Sequence, residues 1–326
     1  MGALRGRIRT GRRGPRKSSA THFGIFHAMK EIEFIDYIRK SAGKQGKDVV
    51  KGIGDDCAVL RHSRDRYLLF ASDMLIEGTH FRIKEAGYER TGRKAVAVNI
   101  SDIAAMGGKP AYITVSVGVP VRVGTPQVKK IYEGIKKICS EYGITLVGGD
   151  TNRSRDLVID VSILGYAGKE RLVMRSGAKK GDLILITGPV RDGKREHLDF
   201  APRLREADHL TKNYRLHSMI DTSDGIAPDI ARVCSDSGVG CSVFAEAVPL
   251  SPGLSLDDAL YYGESFELMF TMGVKEARRL VKNTRIARKQ KKYFVIGEIT
   301  DAEKGFKIIK QNGRNEKMKV QGYEHL

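Results

Sequence analysis

The sequence is poor in cysteine, has no long apolar run, and lacks both of the common glycine signatures for binding phosphate. Its four cysteines, Cys57, Cys139, Cys234 and Cys241, form no CxxC pair and no disulfide-framework spacing. That pattern excludes a disulfide scaffold and predicts reduced core thiols in a cytoplasmic protein. The longest apolar stretches, such as 183–187 and 95–98, are the size of one strand or one helical turn, far short of the roughly 20 residues that cross a bilayer. No membrane association is expected, and no secretory h-region is present. No GxxxxGK[ST] occurs, and Gly52-Ile53-Gly54 is not followed by the third glycine of GxGxxG. Neither a P-loop nor a Rossmann cradle therefore explains any phosphate chemistry.

The charge balance is one-sided but uneven. The net charge over 326 residues is +18. Residues 1–28 hold seven Arg or Lys and no acid; without them 50 basic face 39 acidic residues, or +11. This tail reads as a nucleic-acid-binding arm, a targeting segment or translated upstream sequence. The last is favoured because Met29 begins a more ordinary pattern, and residues 1–28 are expected to be disordered. A basic nucleic-acid-binding protein is the alternative from another class, resting mainly on that tail.

What the chain does have is a series of acidic clusters beside glycine or apolar runs: Gly54-Asp55-Asp56, Ser72-Asp73, Asn99-Ile100-Ser101-Asp102, Gly148-Gly149-Asp150 and Asp221-Thr222-Ser223-Asp224-Gly225. Singly they are turn and N-cap sequences. Together they are an inventory of hard oxygen ligands with almost no His or Cys nearby, which suits Mg²⁺ bound to phosphates. A phosphate-handling enzyme is the leading reading.

Periodicity places the clusters on elements. Helices are expected over 30–40, 91–106, 126–142, 202–216, 228–237 and 275–289, the second stopped by Gly107-Gly108 and the third by Gly143. Strands are expected over 57–60, 67–71, 111–119, 144–147, 157–165, 182–187, 219–222, 267–271 and 293–299. Asp56, Asp73 and Asp150 then lie at strand exits or turns facing a shared crevice, and Asp102 follows Val98 by one helical turn. The alternation restarts near residue 170, giving an α/β (α+β) fold of two halves: an extension (1–28), an N-terminal domain (29–168) and a C-terminal domain (169–326).

The order of these blocks resembles the thiamine-monophosphate kinase family, within the aminoimidazole-ribonucleotide-synthetase-like superfamily. The blocks are Gly52–Ala58, Ser72–Phe81, Gly92–Gly107, Gly148–Thr151, Arg175–Ala178, Ile220–Gly225, Gly263–Leu268 and Gly322–His325. The resemblance spans residues 30–326 and implies a homodimer whose N-terminal half-barrel domains pair, each followed by an α/β domain. It implies ATP-dependent phosphorylation of thiamine monophosphate to thiamine diphosphate by direct in-line transfer, with several Mg²⁺ ions and no assigned general base. By motif, Asp56, Ser72, Asp73, Asp102, Asp150, Asp221 and Asp224 would hold metal. Gly149, Arg175 and Ser223 would contact ATP; His80, Glu264 and Tyr323 would contact thiamine monophosphate. Asp55 is a weaker candidate, as a turn or supporting residue. Two departures are visible. Ser265 stands where the family usually has Asp, which would remove a charge near the ring end of the substrate. The segment 188–221 is also shorter than usual.

Overall fold

Strict alternation along 109–119 and 158–168 builds strands with one face to bury, and that alternation organises the first half of the chain. The structure, a computed structural model, describes residues 31–43, 45–193, 196–287 and 292–320. The basic tail and Tyr323 lie outside the described residues. In chain order the first half comprises α1 (Glu31–Ser41), β1 (Val49–Lys51), β2 (Ala58–Arg61), β3 (Arg66–Ile76), α2 (Ile83–Ala105), β4 (Lys109–Val119), α3 (Thr125–Tyr142), β5 (Thr145–Arg153) and β6 (Val158–Gly168). The second comprises β7 (Asp182–Thr187), α4 (Leu204–Asn213), β8 (Ser218–Asp221), α5 (Ile226–Ser237), β9 (Gly240–Phe244), α6 (Leu256–Tyr261), β10 (Leu268–Gly273), α7 (Val274–Ala287), β11 (Tyr293–Thr300), β12 (Phe306–Ile309) and β13 (Asn315–Lys317).

Two sheets result. The first has the order β1-β2-β3-β6-β4-β5, antiparallel except for the β4–β5 pair, which α3 joins as a parallel crossover. The second has the order β13-β12-β9-β11-β7-β10-β8, antiparallel except for β12–β9. The α/β character of both halves agrees with the sequence expectation. Among the described residues, no helix is long and apolar enough to cross a membrane.

The first sheet buries one face only. Leu69, Ala71 and Leu75 of β3 are buried, as are Val115 and Val117 of β4 and Ile159, Val161 and Ile163 of β6; all pack toward α2 and α3. The alternate residues Phe70, Met74 and Tyr112 are 43%, 53% and 41% exposed. That period of two is the strand's own geometry.

Helix α2 is the hub. Its Ala95, Val96, Ile100 and Ile103 are fully buried beneath the first sheet. Its last turn, Ala104 and Ala105, packs instead with Leu185, Met219, Leu268 and Phe270 of the second half. It begins earlier than the periodicity suggests, with a break at Gly87, where φ is +68°. It lies so close to α3 that a Cβ on Gly134 would stand 1.9 Å from the Glu89 carbonyl oxygen, and one on Gly92 would stand 2.1 Å from that of Ile131. Backbone on both sides leaves nothing soft to move.

Replacing Gly134 with alanine is therefore expected to destabilise the fold by about 1–3 kcal/mol through overpacking, despite alanine's better helix propensity. Urea unfolding checks it: a midpoint unchanged or raised would show that the two helices can separate freely.

Candidate active site

The site is assembled from ends and edges of elements that the two cores fix. Residues 52–56 form the turn between β1 and β2. Asp73 comes from β3, Ser101 and Asp102 from α2, Arg175 from the connection after β6, Asp221 from the end of β8, and Ser223 and Asp224 from the turn into α5. All except Ser101 line one groove of about 1010 Å³, which His80, Arg232 and Glu264 also line.

Carboxylates crowd its floor. Oxygens of Asp56, Asp102 and Asp221 all lie within 4.8 Å of one another. Asp73 adjoins Asp102 on this floor. Burial, reinforced by Asp73 and Asp221, pushes the Asp102 carboxyl well above the usual range. Burial likewise raises Asp73 to about 6 and Asp221 to about 7, with the charge of Asp56 adding to both. Asp55 rises to about 6, again through burial and then Asp56. Like charges out of water disfavour further ionisation, and that is the common cause.

Protein groups relieve this crowding only in part. Arg175 donates Nε and Nη2 to Asp56 Oδ1 at 3.1 and 2.5 Å, and its backbone N–H reaches Asp55 at 3.2 Å. Ser101 Oγ donates to Asp221 Oδ2 at 2.6 Å. Arg232 spans Asp224 at 2.5 Å and Asp229 at 2.6 Å. Asp229, fully buried, accepts the backbone N–H groups of Asp224 and Gly225 and so fixes the turn that presents Asp224. Asp56 Oδ2 is buried and has no hydrogen-bond partner among the described residues. An orphaned carboxylate oxygen within a dense all-oxygen donor set fits a hard divalent cation such as Mg²⁺.

Not every expected residue joins this floor. Ser72 and Asp73 are not at a strand exit but in the middle of β3, so they point to opposite faces. Ser72 reaches the groove's edge from the open face, where its Oγ donates to Asp160 at 3.2 Å and lies 3.1 Å from Ser162 Oγ. Asp150 is also mid-strand, in β5, exposed, and bonded to Thr151 N–H and Asn152 Nδ2. It pairs with Ser116 on the open face and does not line the groove. Gly149 lies beside it, where a Cβ would stand 1.9 Å from the Val115 carbonyl oxygen. The sequence reading ended the strands at the acids, whereas β3 and β5 run straight through them.

The opposite end of the groove is shaped by turns. His80 Nδ1 accepts the Ile76 N–H at 3.0 Å, which places the ring proton of the neutral imidazole on Nε2. Glu264 and Phe266 have φ of +65° and +52°, and two ladder-like bonds hold them there, Glu264 N–H to Ser223 O at 2.7 Å and Phe266 N–H to Thr222 O at 2.9 Å. Ser265 is not a groove residue; it is buried and accepts the Arg191 N–H at 3.1 Å. The charge expected to be missing from the ring end was thus sought on a side chain that points elsewhere. Residues the sequence reading missed are Lys94, His197, Asp229 and Arg232. Lys94, beside Arg93 and just before the apolar run 95–98, gave no local signal; Arg232 had its spacing of one helical turn from Asp229.

Comparison with known proteins follows the same outline. The family model for AIR synthase related protein, N-terminal domain, matches residues 54–167, and that for the C-terminal domain matches residues 159–310. The thiamine-monophosphate kinase of Buchnera aphidicola subsp. Schizaphis graminum is 34% identical, over 91% of this chain and 98% of its own. That of Escherichia coli is 31% identical over 90% and 96%. Among solved structures, AaThiL complexed with AMPPCP and TMP superposes with a TM-score of 0.78 at 27% identity, covering 91% of this chain and 97% of that one.

The raised carboxyls set a pH dependence. Asp73 and Asp221 hold their protons more tightly folded than unfolded, so the folded state binds more protons between about pH 4 and pH 7 and loses stability as pH rises through that window. Without divalent metal, the melting temperature should fall between about pH 5 and pH 7.5, and Mg²⁺ should raise it more at the higher pH. Thermal melts in chelator and in Mg²⁺ test this; a Mg²⁺ effect equal at both pH values would contradict it.

Proposed function

The chain belongs to the thiamine-monophosphate kinase family, and we propose that it transfers the γ-phosphoryl group of ATP to thiamine monophosphate, giving thiamine diphosphate and ADP. One observation carries the reading from family to site: the carboxylates of Asp56, Asp102 and Asp221 converge within 4.8 Å on the floor of a groove large enough for a nucleotide and a second substrate. The relative solved with AMPPCP and TMP supports occupation by both at once.

Asp56, Asp73, Asp102, Asp221 and Asp224 would hold Mg²⁺ from within the groove. Bound Mg²⁺ supplies neutralisation of the polyphosphate and a template for in-line displacement. The chain's own groups do the rest. Arg175, anchored on Asp56, presents a fixed guanidinium to phosphate oxygens, and Ser223 lies beside it on the α5 turn. The His80 Nε2–H is a neutral donor, and Glu264 is an acceptor for the cationic, amino-bearing end of thiamine monophosphate. The acceptor is itself a phosphate monoester, so its terminal oxygen attacks without a protein base. Positioning is then the main catalytic demand.

Ser72, Gly149 and Asp150 sit on or beside the open face of the first sheet. Exposed Phe70, Met74 and Tyr112 on that face support pairing with a second copy, whose corresponding residues would then be available to complete the phosphate site. We place the division between the two domains in the connection between β6 and β7, and place the enzyme in the cytoplasm.

Purified protein with Mg-ATP and thiamine monophosphate should yield thiamine diphosphate and ADP in equal amounts, read by chromatography. ATP binding without product would remove the substrate assignment and leave the fold. Asp73→Asn should lower kcat by about a hundredfold or more while the circular dichroism spectrum is retained, since charge rather than shape is lost. A rate unchanged in this variant would take Asp73 out of the metal set.

A further inference from the structure

Lys94 is the most deeply buried cation of the described chain that the proposed chemistry does not use. It stands in α2 with a fully buried side chain. A lysine so placed is costly unless every donor is matched. The match here is complete. An ammonium has three protons, and three acceptors surround Nζ: the His80 carbonyl oxygen at 2.7 Å, His197 Nδ1 at 2.6 Å and Glu264 Oε1. Each acceptor comes from a different segment. His80 belongs to the turn after β3, His197 to the loop before α4, and Glu264 to the left-handed turn before β10.

His197 sits against both of these charges. His197 Nδ1 lies 3.0 Å from Glu264 Oε2 as well as 2.6 Å from Lys94 Nζ. One ring nitrogen cannot accept from Lys94 and donate to Glu264 together. With Lys94 charged, Nδ1 accepts from it, and Lys94 is the cation that holds Glu264 at the groove. The turn that carries Glu264 has φ of +65° at that residue, a conformation that needs outside support.

We propose that Lys94 is a positioning residue for substrate recognition: by holding Glu264 Oε1 and the His80 carbonyl on one ammonium, it sets the spacing between two groove residues that meet the cationic end of thiamine monophosphate. The inference rests on the proposed substrate and deepens it. It places the determinant for that end on α2, the same helix that carries Asp102, so a single rigid element registers both ends of the acceptor. Lys94 itself touches neither substrate.

The test is a double-mutant cycle on the full chain with Lys94→Met, Glu264→Gln and the double variant. Michaelis constants would be measured for both substrates, with ATP binding followed by calorimetry. Lys94→Met should raise KM for thiamine monophosphate about tenfold or more, leave the ATP dissociation constant within about twofold, and lower kcat much less than it raises KM. The double variant should be no worse than the poorer single one, because Lys94 acts through Glu264. If Lys94→Met alone fails to fold, the double variant still reports. It is a neutral pair of similar shape, and it should fold and show the KM defect of Glu264→Gln. Multiplicative effects in the cycle, or equal losses toward ATP and thiamine monophosphate, would make Lys94 merely structural and overturn the proposal. If the unaltered protein neither binds nor phosphorylates thiamine monophosphate, the substrate reading fails first, and this inference with it.

Discussion

Mutual repulsion among buried carboxylates is the constraint on which the rest of this structure depends. Two unit charges about 4 Å apart repel by roughly 4 kcal/mol at an effective dielectric of 20. The floor of the groove holds at least four carboxyls in mutual contact or near it. The upward shifts of Asp73, Asp102 and Asp221 arise from burial first, with that repulsion adding to it. The pairing of Asp56 with Arg175 and of Asp224 with Arg232 relieves it in part. A domain's net stability is only about 5–15 kcal/mol, so such a cluster persists only if it stands on packing that does not yield.

That packing is supplied by α2. Its middle turns are sealed beneath the first sheet, and its last turn enters the core of the second half. Ser101 and Asp102 lie between these two attachments, and Ser101 reaches across to Asp221. The carboxylates cannot relax apart without separating the two halves of the molecule. The approach to α3 allowed by Gly92 and Gly134 serves the same end, because a helix held at backbone contact has little freedom to tilt. Among the described residues, positive φ outside glycine is confined to the turn before β10, at Glu264 and Phe266. Phe266 is stacked on Phe200 at a centroid distance of 4.1 Å, and hydrogen bonds to the 222–223 segment close the turn. Helix α2 and strands β3 and β8 thus carry Asp102, Asp73 and Asp221, while the strained turn carries Glu264.

The strands and helices with strong period were legible in the sequence, and so was the acidic inventory. Gly143 ends α3 in the left-handed conformation, as its position implies. What misled was treating Asp as a marker of strand ends. At Ser72-Asp73 the residues on either side continue the in-out alternation, and β3 passes through to Ile76. A carboxylate on the buried face of a strand looks like a breaker only until its partners on α2 and β8 are known, and those partners lie some 30 and 150 positions away along the chain. The short strands β9, β12 and β13 and the one-and-a-half-turn helix α6 carried too few residues for either period to register. Lys94 and His197 illustrate the deeper limit. Nothing local distinguishes a lysine whose three protons are matched by three distant segments from one that snorkels to solvent.

The two ends of the groove obey different electrostatic rules, and this bears on the departure at Ser265. A carboxylate at that position would be buried beside Arg191, whose Nε already lies 3.6 Å from Glu267. Glu267 is itself fully buried and is matched by the fork of Arg203 and by Thr187 Oγ1 at 2.6 Å. A second acid there would compete for cations already committed. Serine keeps the hydrogen bond to the Arg191 N–H and adds no charge. On the proposed reading, recognition of a cationic ring falls on Glu264, which Lys94 holds. Where Asp56, Asp102 and Asp221 converge, negative charge is left unbalanced, and on the proposed reading this is what recruits metal. Around Glu264, at the other end, charges are matched in advance, Glu264 by Lys94 and Glu267 by Arg203.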